Sequence, residues 1–265
     1  MSNQIIALQD WLQTPVGRYL LAWERIQVDE AVADIFGYHA LQLGVPELDG
    51  LQANRMPHQW LATETLTAHG DGVPGRPSLL CDFTALPFPA ASLDLVVLPH
   101  TLEFSIDPHA TLREVERVLV PEGRVVICGL NPMSLWGLRQ RRARLYQKMG
   151  VGNLFLPDAG EFIGYWRLRD WLRLLGFEVE VADFGCYRPG VNSEAWLQRF
   201  EWMDRAGPRW WPILGAAYFI VAVKRVRGMR LLEPGWKAAS VRVRKSVPLA
   251  NRTHNNRLDA KIETE

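Results

Sequence analysis

Two uninterrupted apolar runs with an amphipathic stretch between them dominate the hydrophobic pattern of this chain. Residues 94–98 (Asp-Leu-Val-Val-Leu) have strand length and are rich in β-branched side chains, and residues 124–129 repeat the pattern. Between them, Asp107-Pro108 reads as a helix start. Asp serves as N-cap, and Pro occupies the first helical position, where its missing N–H costs nothing. Leu112, Val115, Val118 and Leu119 then recur on one helical face until Pro121-Glu122-Gly123 stops the pattern. Two strands apolar along their whole length, joined by such a helix, predict a right-handed crossover in a buried parallel sheet.

The flanking pattern extends this frame. Residues 4–36 read as two helices broken at residues 14–17, the second carrying Leu21, Val28, Val32 and Ile35 at helical spacing and closed by Gly37. Residues 38–44 and 58–62 read as the first two strands, and residues 79–80 as a short third strand ending at Asp82. Residues 70–77 (GDGVPGRP) form a turn-rich connection. A helix from Trp171 ends at Gly176, a sixth strand follows over residues 177–181, and residues 218–224 make a return strand.

Composition narrows the picture further. A chain of 265 residues, 48% hydrophobic, suffices for one α/β core with appendages, and a net charge of +1 gives no global pull toward nucleic acid or membrane. Cys81, Cys128 and Cys186 are far apart and are expected to be buried, reduced thiols. No basic segment precedes the first apolar residues, and the longest apolar run, residues 210–223, holds Pro212 and Gly215. It falls short of the ~20 residues that span a bilayer. The expectation is a soluble, cytoplasmic protein with no membrane span.

Of the eleven tryptophans, Trp11, Trp23, Trp166, Trp171, Trp196, Trp202, Trp210 and Trp211 fall outside the central stretch and are expected to pack over the sheet's ends. Arg139, Arg141, Arg142, Arg144 and Lys148 read as a solvated helix face, with contact to an anionic substrate or RNA as the other reading. Residues 225–265 hold ten Lys or Arg against four acids and show little periodicity, which predicts a disordered basic tail. Such a tail is solubilising in the plainer reading, and a nonspecific nucleic-acid contact in the other.

The order Asp82-Phe83-Thr84-Ala85-Leu86-Pro87-Phe88-Pro89, Ser92-Leu93-Asp94, His100-Thr101-Leu102-Glu103, Asp107-Pro108, Arg113-Glu114, Arg117-Val118-Leu119, Pro121 and Gly123 resembles the middle of a class I S-adenosylmethionine-dependent methyltransferase. More narrowly, it is similar to the bacterial methyltransferase type 11 domain, in a subgroup with a weakened glycine loop. The resemblance implies a doubly wound, mostly parallel, Rossmann-like α/β sheet of seven strands, with the last strand antiparallel and an N-terminal helical extension. It divides the chain into a helical cap (1–37), a methyltransferase-like domain (38–225) and the basic tail (226–265). An insertion at residues 152–166 is implied to lid the substrate.

The same resemblance assigns S-adenosylmethionine as cofactor and supplies a candidate site. Gly44 ends the first strand, Glu64 lies where an acid meets a cofactor ribose, and Asp82 and Phe83 stand where the family holds adenine. Leu98, Pro99 and His100 lie at the carboxyl end of the fourth strand. His100 is the candidate catalytic residue, as a polarising or proton-accepting group; a pocket-shaping histidine, with the same ambiguity for Glu103, is the plainer reading. Asn131 and Trp136 suggest a substrate-facing turn. No zinc spacing or H-E-x-x-H appears, so no metal is expected.

The sequence departs from its relatives at one place. Gln42 stands where the family carries an acid, and Val45-Pro46-Glu47-Leu48 replaces the glycine-rich loop. Pro46 lacks an N–H and fixes φ, so this loop needs another shape, and Gly50, Asn54 and Pro57 curtail the helix that would follow. No G-x-G-x-x-G follows the strand, which argues against a nicotinamide dinucleotide. The expected function is methyl transfer from S-adenosylmethionine to an acceptor that the sequence does not specify. The alternative is a catalytically inactive methyltransferase-like binding or scaffold protein.

Overall fold

The computed structural model describes residues 8–65, 78–148, 155–156 and 162–225. The chain divides into Met1–Val226 and Arg227–Glu265. The expectations for the basic tail, the 70–77 connection and most of the 152–166 insertion lie outside the described residues.

Seven strands form one sheet: β1 (His39–Leu43), β2 (His58–Thr63), β3 (Leu79–Leu80), β4 (Leu93–Pro99), β5 (Leu119–Leu130), β6 (Phe177–Gly185) and β7 (Ala217–Lys224). Their spatial order is β3-β2-β1-β4-β5-β7-β6. The first five are parallel, and β7 runs antiparallel to both β5 and β6. Side chains alternate between two buried faces. In β4, Leu93, Val96 and Leu98 enter one core while Leu95 and Val97 enter the other, and in β5 Val125 and Ile127 alternate with Val126 and Cys128. Burial on both faces is why these strands read as unbroken apolar runs.

The helices are α1 (Pro15–Ala33), α2 (Thr101–Phe104), α3 (Pro108–Val118), α4 (Leu135–Lys148), α5 (Tyr165–Leu174), α6 (Glu194–Arg199) and α7 (Trp202–Trp210), with a helical turn at residues 8–12 before α1. Helix α3 starts as expected: Asp107 accepts from the Ala110 N–H at 3.0 Å, with Pro108 in the first turn. Its Leu112, Val115 and Val118 fill the first core beside Leu168 and Leu172 of α5, and Val28 and Val32 of α1 fill the second. The expected stop at residues 121–123 is different. Strand β5 begins at Leu119 and runs straight through Pro121, with Glu122 at φ +65°. Leu119 pairs with Leu93 and Arg124 with Leu95, so the irregular register absorbs the residues that look like a helix terminus.

The connection from β1 to β2 carries no helix. Val45, Leu48, Leu51 and Met56 project from it into the second core, against Val28 and Val32. The Gln42 carboxamide, 2% exposed, supplies the hydrogen bonds a helix would have made internally. Its Nε2 donates to the carbonyls of Gly44 (3.2 Å), Val45 (3.0 Å) and Leu48 (2.6 Å), and its Oε1 accepts from the Gly50 N–H at 2.9 Å. Gly44 and Val45 both take left-handed φ, +79° and +38°. That is strained for a β-branched valine, and the Gln42 amide holds the carbonyls on both residues.

Candidate functional site

The carboxyl ends of β1, β2 and β4 border a narrow cleft at the point where the strand order reverses. Open α/β sheets bind ligands at this position. One wall is Gly44, Val45, Pro46 and Glu47, and another is Thr63, Glu64 and Thr65. Phe83, His100 and Thr101 line it as well, and Leu8 and Gln9 reach it from the N-terminal segment. The rebuilt loop therefore lines the hollow with Val45, Pro46 and Glu47, while its Leu48 turns to the other face of the sheet. A second hollow, lined by Cys81, Asp82, Thr84, Ile106 and Asp107 among others, shares Glu64 and Ser105 with the first.

Gly44 lies on the cleft wall. A Cβ placed there would meet Thr101 Oγ1 at 3.7 Å and Phe83 Cε2 at 3.8 Å, ordinary contacts at the cleft wall. Thr101 Oγ1 donates to the Leu43 carbonyl at 2.5 Å and ties the end of β1 to α2. Glu64 sits at the end of β2, where burial in the cleft raises its carboxyl above the usual range while the Phe83 N–H, at 3.4 Å, acts the other way. Asp82 is exposed in the second hollow. Its Oδ1 accepts from the Thr84 hydroxyl (2.7 Å) and N–H (2.8 Å), which together hold it below the usual carboxylate range. Two hydroxyls of the cleft, Thr63 Oγ1 and Thr65 Oγ1, are buried with no hydrogen-bond partner among the described residues.

His100 differs most from expectation. It is 1% exposed and lies between two carboxylates: Nδ1 is 2.9 Å from Glu103 Oε2, and Nε2 is 2.8 Å from Glu24 Oε1 of α1, in an ion-pair contact off hydrogen-bond angle. Burial alone would lower its pKa, but Glu24 and Glu103 outweigh it and raise the imidazole to about 10. Both ring nitrogens face carboxylates and the ring is closed to solvent, so the geometry gives His100 a structural part in place of the expected proton-accepting one. Glu103 also accepts from the Leu130 N–H, joining α2 to β5. Glu24 was missed by reading the sequence. The available signal was an acid within the i, i+4 series Leu20, Glu24, Val28, Val32, every member of which is buried.

Gly44, Glu64, Phe83 and His100 thus meet in one cleft, with Asp82 in the hollow beside it. Leu98 and Pro99 do not line it; Leu98 belongs to the core beneath the sheet. The substrate-facing turn is also corrected. Trp136 is buried and donates from Nε1 to the Arg188 carbonyl at 2.8 Å, so its ring has no face to offer a ligand. Asn131 is buried with its Nδ2 on the carbonyls of Ile213 (2.7 Å) and Gly215 (2.9 Å) and its Oδ1 on the Met133 N–H. Asn131→Ala is accordingly expected to cost about 2–3 kcal/mol in urea unfolding while leaving ligand affinity at the cleft unchanged.

Of the cysteines, Cys128 and Cys186 are buried, and partial burial pushes the Cys81 thiol up to about 11. All three are free and unreactive in character. Trp11, Trp23 and Trp171 pack against the cores as expected, whereas Trp166, Trp196, Trp202 and Trp210 are half exposed or more. Among the described residues no helix is long and apolar enough to cross a membrane.

Comparison with known proteins agrees with this architecture. A family model described as a methyltransferase domain matches residues 61–127. The uncharacterized protein YafS of Escherichia coli (strain K12) is 33% identical over 181 residues, covering 68% of this chain and 69% of its own. Malonyl-[acyl-carrier protein] O-methyltransferase of Halorhodospira halophila is 40% identical over a shorter stretch of 65 residues, 24% of this chain and 22% of that one. Among solved structures, a SAM-dependent methyltransferase from Archaeoglobus fulgidus superposes with a TM-score of 0.52 at 16% identity, over 77% of this chain and 94% of its own. Another from Thermotoga maritima gives 0.50 at 16% identity, over 78% and 92%. The solved structures bear on the fold, and the sequence relatives on descent. The chain belongs to the class I S-adenosylmethionine-dependent methyltransferase family.

Proposed function

We propose that the protein transfers a methyl group from S-adenosylmethionine, bound across the cleft and the hollow beside it. The observation that carries this reading is the pair of buried, unpaired hydroxyls, Thr63 and Thr65, on either side of Glu64. Burying a polar group without a partner costs about 1–3 kcal/mol, and a ligand with hydroxyl and charged groups relieves it. Glu64 and the two threonines would hold the ribose, with Asp82 offering an acceptor to the adenine amino group and Phe83 an apolar wall. Gly44 leaves room at the wall where a side chain would crowd the methionyl portion.

When bound, the cofactor supplies a methyl group already activated by its sulfonium. The chain's part is positioning and exclusion of water. Leu8 and Gln9 border the cleft from the N-terminal side, and the Glu24–His100–Glu103 group ties α1 to the start of α2 beside it. His100 has no proton-accepting role in this account.

Isothermal titration of the full chain with S-adenosylmethionine and S-adenosylhomocysteine tests the reading. A Kd on the order of micromolar is expected, weakened about tenfold by Asp82→Ala and by Thr63→Val, one hydrogen bond each. Absence of heat at millimolar ligand would leave the inactive binding protein in its place.

A further inference from the structure

The end of the sheet that carries the cleft also carries a surface the methyltransferase reading does not use. Residues 131–135 leave β5 after Leu130, and residues 210–216 enter β7 at Ala217, which pairs with Leu130. The two connections are stitched together, since Asn131 donates to the Ile213 and Gly215 carbonyls and its N–H donates to the Ala216 carbonyl at 2.8 Å. On these adjoining tips Met133 is 64% exposed, Trp210 74%, Ile213 45% and Leu214 44%, with Leu135 about as open. Single exposed apolar side chains are ordinary, but five on two adjoining connections are not.

The surroundings are basic. Residues 133–148 and 202–214 hold seven Lys or Arg against one acid, Asp204. That acid is already engaged by Arg188 at 2.7 Å and by the Tyr19 hydroxyl at 2.5 Å. Arg141, Arg142, Arg205 and Arg209 are exposed. Apolar tips that include a tryptophan, with exposed arginines on the two helices that adjoin them, match the two layers of an anionic bilayer surface, acyl boundary and headgroup. At the tips themselves four of the five apolar side chains, Met133, Leu135, Ile213 and Leu214, are aliphatic and offer no ring on which a base could stack.

We infer that this rim docks on an anionic lipid bilayer, with Met133, Leu135, Trp210, Ile213 and Leu214 entering the acyl boundary and the arginines pairing with lipid phosphates. The inference does not depend on methyl transfer and can fail independently of it.

Co-sedimentation of the full chain with vesicles tests it. Vesicles of phosphatidylcholine are compared with vesicles holding roughly one-third phosphatidylglycerol, at low and high salt. Binding is expected to the anionic vesicles and to weaken with salt. The double variant Ile213→Ser, Leu214→Ser should lose at least about tenfold in partitioning with an unchanged circular dichroism spectrum. Trp210→Ser, at a side chain outside the core, serves as the second variant should the first not fold. Arg141→Glu with Arg142→Glu should remove most of the salt-sensitive part. The proposal is overturned by absence of binding at low salt, or by binding that these variants leave unchanged. It is equally overturned if a short single-stranded RNA binds more tightly with the same dependence on Ile213 and Leu214, or if these residues prove to drive self-association without lipid.

Discussion

Gln42→Glu, which restores the acid of the resembled family, is expected to destabilise this protein by about 3–5 kcal/mol near neutral pH. The carboxamide at this position is a donor to three carbonyls, at 3.2, 3.0 and 2.6 Å, and an acceptor from one N–H. A carboxylate keeps the single acceptor role and turns its other oxygen onto three carbonyl oxygens, in a site closed to water. The buried acid escapes by binding a proton, which raises its folded-state pKa above the unfolded value. The destabilisation is therefore small below the unfolded carboxyl pKa and grows as pH rises through and beyond it. Gln42→Ala separates charge from lost hydrogen bonds: a cost of about 2–3 kcal/mol that does not vary with pH. Urea unfolding of both variants at acidic and at slightly alkaline pH makes the comparison. A Glu variant as stable as the parent across that range would mean that the loop has reopened into the glycine-type shape of its relatives, and that Gln42 is not its staple.

The same residue shows how far the sequence could be read. That the loop after β1 had changed was visible, because Pro46 and the missing glycines exclude the usual conformation. What replaced it was not visible, because the hydrogen bonds lost from the curtailed helix return through one side chain from within a strand. The central crossover was legible for the opposite reason: strands buried on both faces have no alternation to misread, and an Asp-Pro start admits few alternatives. Asn131 and Trp136 were legible as residue types and misread as to role. Their partners, the carbonyls of Ile213, Gly215 and Arg188, lie far along the chain, and nothing local records which backbone groups will come to rest there. For the cleft, positions taken one strand end at a time were placed together, while Thr63 and Thr65 went unnoticed because an unpaired hydroxyl is a property of the fold and not of the sequence.

His100→Ala is expected to cost about 3–5 kcal/mol and to loosen the N-terminal helix, because it leaves Glu24 and Glu103 buried with their shared cation gone. The parent protein carries the same interaction as a pH dependence. His100 titrates near 6.5 when unperturbed and at about 10 between its two carboxylates, so folding raises its pKa. The stabilisation is complete below the unfolded value and is lost as pH climbs toward 10. Cys128 and Tyr218 are also pushed well above their ordinary values by burial and add a loss of the same sign once pH passes the ordinary thiol value of 9.0, so the His100 part is read below it. Glu24→Gln removes one of the two anions and should flatten the decline between pH 6.5 and 10 while keeping the packing of α1, which His100→Ala does not. Chemical denaturation across this range reads the slope directly. A parent protein whose stability is level from pH 6.5 to 10 would mean that the ring is neutral in the folded state. His100 would then again be free to act as a base at the cleft.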